Sequence, residues 1–199
     1  MSRIRRLLDS RYSLWALLYA PGLWMTLGYV RGTTFYGELL HASGELAAQL
    51  LIATLAITPL RLLFSRASWT TWLLRRRRHL GVAAFAYALL HTVVYCERLG
   101  ELAEILAQAL EAAMWTGWLA LAVMLPLALT SNDVSVRRLG PAWKALHRLA
   151  YLAAALTLAH WYLAAFDPNP GLIYFGLLAC LEIFRVWAGR VPPPTRRST

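Results

Sequence analysis

Charge is scarce in this sequence. Only 15% of its 199 residues are charged, against about a quarter in an ordinary soluble domain, so water is the wrong solvent for most of the chain. The two cysteines, Cys96 and Cys180, form no CxxC or other ligand spacing. That excludes a thiolate metal centre or a dithiol redox pair and leaves both as packing residues. No G-x-G-x-x-G fingerprint occurs and no soluble flavin domain follows the last apolar run, so the chain cannot collect hydride unaided. Internal repeats of about 20 to 50 residues are absent, and no stretch between apolar runs has room for a soluble catalytic domain. A cleavable signal is not expected either. The first apolar run is long and lacks a clear small-residue cleavage site, so it reads as a retained span.

What fills the sequence instead is apolar: 59% of the residues are hydrophobic and the mean hydropathy is +0.48. Six runs approach the roughly 20 residues that a helix needs to cross about 30 Å of hydrocarbon. They are Tyr12 to Val30, Leu46 to Phe64, Leu80 to Cys96, Met114 to Thr130, Leu149 to Phe166 and Leu172 to Ala188. The expected fold is all-α, a six-transmembrane-helix bundle over residues 1–190 followed by a disordered cytoplasmic tail at 191–199.

A net charge of +10 would suit nucleic acid, but its distribution excludes that reading. Of 20 basic residues, only Arg31 and Arg98 fall in the first, third or fifth loop. The other 18 lie before span one, between spans two and three, between four and five, or after six, with Arg61 and Arg185 counted there from the inner ends of spans two and six. This is a positive-inside pattern, and it places both termini in the cytoplasm. The opposite face carries Glu38, Glu45, Glu97, Glu101, Glu104, Glu111 and Asp167. These read as solvated loop charges, with a docking face for a basic partner as the alternative.

Pro21 and Gly22 interrupt the first run, where a kink is expected. The segment RGTTFYGELLHASGE joins spans one and two, and SRASWTTWLLRRRRH, with Trp69 and Trp72 suited to a membrane interface, joins two and three. From Glu101 to Ala113 leucines recur at helical spacing among glutamates, which predicts a short amphipathic helix along the bilayer surface.

An ionisable side chain inside hydrocarbon should face the bundle and have a partner. His91 lies in the outer half of span three and His160 in the outer half of span five. Both spans run outward from the cytoplasm, so the two imidazoles should sit at similar depth. That is the requirement for a bis-histidine haem. Helix-packing histidines are the bland alternative, and zinc is a weaker one because no further ligands stand close by. His147 and His79 occur near the starts of the same two spans and invite a second haem. Helical phase argues against it, since the step from His147 to His160 ends about 140° off and that from His79 to His91 about 120° off. Arg77 lies within about 40° of the face of His91 and suits a haem propionate. His41 reads as a solvated interface residue, with a quinone or a haem edge as its other possible contacts.

The segments LLIATLAITPLRLL, RRRRHLGVAAFAYALLHTVVY and LGPAWKALHRLAYLAAALTLAHWYL, in that order, resemble the MsrQ/YedZ family. These are the haem-binding membrane subunits of the bacterial methionine sulfoxide reductase system, similar to ferric reductase transmembrane domains. The resemblance implies b-type haem, one or two, in a bacterial inner-membrane protein. It implies electrons passing from a cytoplasmic flavin reductase or quinol, with FMN or quinone as possible further cofactors, to a periplasmic molybdopterin subunit that reduces methionine sulfoxide. By resemblance His91, His147 and His160 are haem-associated, and Arg77 and Arg78 match a basic pair at the start of helix three. His79 departs from the family pattern, in which an apolar residue is usual. The alternative function is a small transporter or proton channel with a histidine relay, and a third is a structural anchor for a periplasmic enzyme.

Overall fold

A 28-residue helix, Tyr36–Leu63, buries Leu39, Ser43, Ala47, Leu51, Leu55 and Pro59, a row at four-residue steps along one face. The computed structural model describes residues 10–190, and the regular elements among them are α-helices. Arg3, Arg5 and Arg6, and the expected tail at 191–199, lie outside the described residues. In chain order the helices are α1 (Arg11–Val30), α2 (Tyr36–Leu63), α3 (Ser68–Leu99), α4 (Leu102–Ala109), α5 (Ala112–Leu129), α6 (Asp133–Leu139), α7 (Pro141–His147), α8 (Ala150–Ala164) and α9 (Asn169–Arg190).

Four of these, α2, α3, α5 and α9, are long and apolar enough to cross a membrane. The remaining two expected spans fall short among the described residues. Helix α8 has 15 residues, about 22 Å at helical rise, and α1 is diluted by tyrosine, glycine, threonine and proline. Trp24, Val93, Leu177 and Ile183 nonetheless project outward with more than half of their surface exposed. In water such a face is unfavourable by about 25 cal/mol for each Å², whereas lipid removes the penalty.

Helix α2 sits in the middle of the bundle, packed chiefly on α3 and also on α9 and α8, while α5 packs chiefly on α8. Two expected loops are helical instead. The segment around SWTTWLLRRRRH is helix from Ser68, because it contains no proline or glycine and leucine and arginine favour helix. On the other side, α2 begins at Tyr36, where the Glu38 carboxylate accepts from the Phe35 amide at 3.1 Å and closes the first turn. The surface helix is shorter than the sequence suggested, ending at Ala109. Leu102, Leu106 and Leu110 are 70%, 60% and 86% exposed, an unpartnered row of the kind that lies against lipid.

Pro21 stands inside α1 without ending it. One residue on, the Tyr87 hydroxyl of α3 accepts from the Gly22 amide at 2.9 Å and donates to the Leu18 carbonyl at 2.8 Å. It thereby spans a pair that a regular helix closes directly. A side chain at residue 22 would put its Cβ 2.9 Å from the Tyr87 ring, so only glycine admits this approach. Beyond α5, Gly140 takes a φ of +50°, a conformation natural to glycine, and turns the chain from α6 into α7. Helix α7 ends at His147 and α8 starts at Ala150. The phase calculated from His147 to His160 assumed one uninterrupted α-helix, and the tighter turn at Arg148 and Leu149, both still in the helical region, alters it.

Candidate functional site

His91 comes from α3 and His160 from α8, and the structure brings them face to face. Their ring centres are 6.1 Å apart with planes crossed at 83°. The Nδ1 of His91 lies 2.9 Å from the Leu40 carbonyl on α2, and the Nδ1 of His160 lies 2.7 Å from the Ala113 carbonyl on α5. A carbonyl only accepts, so Nδ1 carries the proton in both rings and Nε2 is left with its lone pair. Each imidazole is therefore held from behind by a backbone oxygen through Nδ1, which leaves Nε2 clear of that contact.

Both rings open on one cavity of about 420 Å³, whose walls include Ala47, Leu51, Ala88, Ala120, Met124 and Trp161. Small alanines leave the space and larger apolar groups close it, as in cofactor pockets generally. Sequence reasoning missed two further residues. A Cβ built at Gly44 would lie 2.8 Å from the Nδ1 of His91, and one at Gly117 would lie 2.8 Å from the Nδ1 of His160. Each ring thus rests against a helix where no side chain stands. His41, on the rim, is largely exposed and lies 3.7 Å from Glu45.

At the arginine-rich end the other predicted residues behave differently. His147 stacks on Trp143 at 3.9 Å between centres, and its Nε2 is 3.1 Å from the Thr130 hydroxyl. That hydroxyl already donates to the Pro126 carbonyl at 2.6 Å, so the Nε2 of His147 must be the donor. Burial pushes the pKa of His147 down, and the charges of Arg77 and Arg78 add to the effect. His79 packs on Trp15 at 4.8 Å, and its Nδ1 is buried without a hydrogen-bond partner among the described residues. Arg77 donates to the Thr58 hydroxyl at 3.3 Å, and Arg78 pairs with Asp133 at 2.6 Å.

Residues 43–158 match the family described as ferric reductase like transmembrane component. That window takes in Gly44, His91 and Gly117 and stops just before His160. An MsrQ protein of Rhizobium meliloti (strain 1021) is 38% identical, with 87% of this chain and 82% of the relative covered. The chain belongs to the MsrQ family. MsrQ proteins of Caulobacter vibrioides and Brucella ovis are 35% and 34% identical, covering 89% and 88% of this chain and 86% and 82% of their own lengths. Each of these MsrQ relatives is named the heme-binding subunit of protein-methionine-sulfoxide reductase. No solved structure matches the chain. For an MsrQ family chain, the glycines were detectable only as two unremarked residues at the outer ends of spans two and four, since nothing local marks a glycine as lying opposite a histidine.

Proposed function

We propose that this chain holds b-type haem between His91 and His160 and works as the electron-carrying membrane subunit of a methionine sulfoxide reductase. The supporting observation is a pair of imidazoles, 6.1 Å apart, each with Nδ1 committed to a carbonyl. Two imidazoles on opposite sides of one metal ion, each nitrogen about 2 Å from it, have ring centres about 6 Å apart. The apolar cavity between them favours a flat hydrophobic macrocycle and keeps water from the metal. Bound haem supplies one-electron chemistry. The residues here supply ligation, orientation and dryness.

In this reading the bundle has six spans in a bacterial inner membrane, with both termini cytoplasmic, as the bias of 18 basic residues to two favours. Electrons enter at the arginine-rich end from a cytoplasmic flavin reductase or a quinol, with FMN or quinone as the carrier. They leave at the acidic end for a periplasmic molybdopterin subunit. His147, His79, Arg77 and Arg78 form the inner group. A second haem there would require His79 to turn from Trp15 and His147 to release Thr130.

Haem per mole of purified full-length protein, measured as the pyridine haemochrome, tests the assignment across wild type and alanine variants of the five histidines. Loss is expected for His91→Ala and His160→Ala, with retention for His41→Ala. Haem-supplied wild type lacking a Soret band, or a band that persists after both ligands are removed, would end it. Ion flux through cofactor-free liposomes would instead favour a histidine relay.

A further inference from the structure

Each of the two carbonyls that hold the imidazoles accepts from a second donor. Ser43, fully buried on α2, donates to the Leu39 carbonyl at 2.7 Å and to the Leu40 carbonyl at 3.0 Å. Thr116, 5% exposed on α5, donates to the Ala112 carbonyl at 3.0 Å and to the Ala113 carbonyl at 2.8 Å. Leu40 and Ala113 are the residues whose carbonyls accept from His91 and His160. In each case a hydroxyl residue three positions after the acceptor shares its oxygen, and the glycine four positions after it clears room for the ring. The same arrangement thus occurs twice, once per histidine, on two different helices.

Hydroxyls often back-bond within membrane helices, so a single instance would mean little. Thr54, Thr92 and Thr157, however, are recorded bonding only the carbonyl four residues back. Ser43 and Thr116 reach both the fourth and the third carbonyl, and the third is the one an imidazole uses. Small residues at helix contacts also have a packing explanation. That explanation accounts for a glycine at each contact but not for a hydroxyl on the same oxygen.

We propose that Ser43-Gly44 and Thr116-Gly117 are matched positioning elements that set the direction and the electron-donating strength of His91 and His160, an inference that rests on the haem reading above. The glycine fixes direction, because a Cβ at either position would displace the ring from its carbonyl. The hydroxyl sets strength. A carbonyl that accepts fully from Nδ1–H makes the imidazole a better electron donor and stabilises ferric iron. A hydroxyl sharing that oxygen weakens its pull and moves the potential up. Thr116 makes the shorter bond to the shared carbonyl, so its effect should be the larger.

The test uses full-length protein loaded with haem and reads haem stoichiometry, the low-spin ferric EPR signal and the midpoint potential. Gly44→Ala and Gly117→Ala should weaken haem retention by about 10–100-fold and alter the strongly anisotropic signal expected of crossed imidazole planes. Ser43→Ala and Thr116→Val should keep full haem and shift the potential downward, more so for Thr116, with Thr116→Ser restoring it. Should the glycine variants fail to fold, the hydroxyl variants decide. Fully loaded hydroxyl variants with wild-type potential and EPR signal overturn the proposal while leaving the haem assignment intact. A wild type that takes up no haem overturns both, and the stoichiometry separates the two failures.

Discussion

Histidines at the two ends of this bundle carry their protons on opposite nitrogens. At the acidic end His91 and His160 bond carbonyls through Nδ1 and turn Nε2 to a shared cavity. At the arginine-rich end His147 spends Nε2 on a hydroxyl that has no proton left to give. The difference teaches that a histidine in a membrane helix is defined by its second nitrogen. At His91 and His160 the partner leaves Nε2 free, while at His147 the partner occupies it and makes a latch between α7 and the end of α5.

The strongest way to break this contrast is to remove each pair in turn. Loss of His91 and His160 together should lower haem content more than about tenfold, while loss of His147 and His79 should leave the crossed-imidazole EPR signal in place. Equal effects on that signal would erase the distinction. Tyr87 belongs to neither end and offers a yardstick for a buried polar contact. Tyr87→Phe strands the Leu18 carbonyl and the Gly22 amide, and should lower unfolding free energy by about 1–3 kcal/mol, read from thermal or denaturant melts in detergent. Thr130→Val sharpens the contrast from the latch side. It frees the Nε2 of His147 and should destabilise by about 1 kcal/mol without moving the outer haem spectrum.

The smallest effect belongs to the exposed pair between Arg78 and Asp133. The hydrogen bond and charge of Arg78 hold the Asp133 carboxyl below its usual range. A carboxyl whose folded pKa is depressed stabilises above its unfolded value, about 3.9, and loses that contribution as pH falls through the folded one. Melting midpoints of wild type and Asp133→Asn should therefore differ slightly at neutral pH and converge in acid. A gap that widens in acid would reverse the sign. Surface exposure keeps this effect close to the limit of measurement.

Much of this was legible in the residues. Apolar length marked the helices, and depth alone singled out His91 and His160 from five histidines, because burial of an imidazole in oil demands a partner. What stayed hidden depended on contacts between distant segments. Gly44 and Gly117 look like any membrane-helix glycines until a ring is seen lying on them. The phase of His147 could not be read because the tightened turn at Arg148 and Leu149 leaves no composition signal. The basic segment before Leu80 lies outside the apolar run, yet arginine is a good helix former and α3 runs back through it to Ser68.

The break between α7 and α8 also bears on how such a chain tolerates change. In one continuous helix, each residue added near His147 would swing His160 by about 100°. With two helices meeting at a turn, the arginine-rich end can lengthen or shorten while the distant imidazole keeps its bearing. Variation at the arginine-rich end is thereby uncoupled from the part of the molecule that must stay fixed.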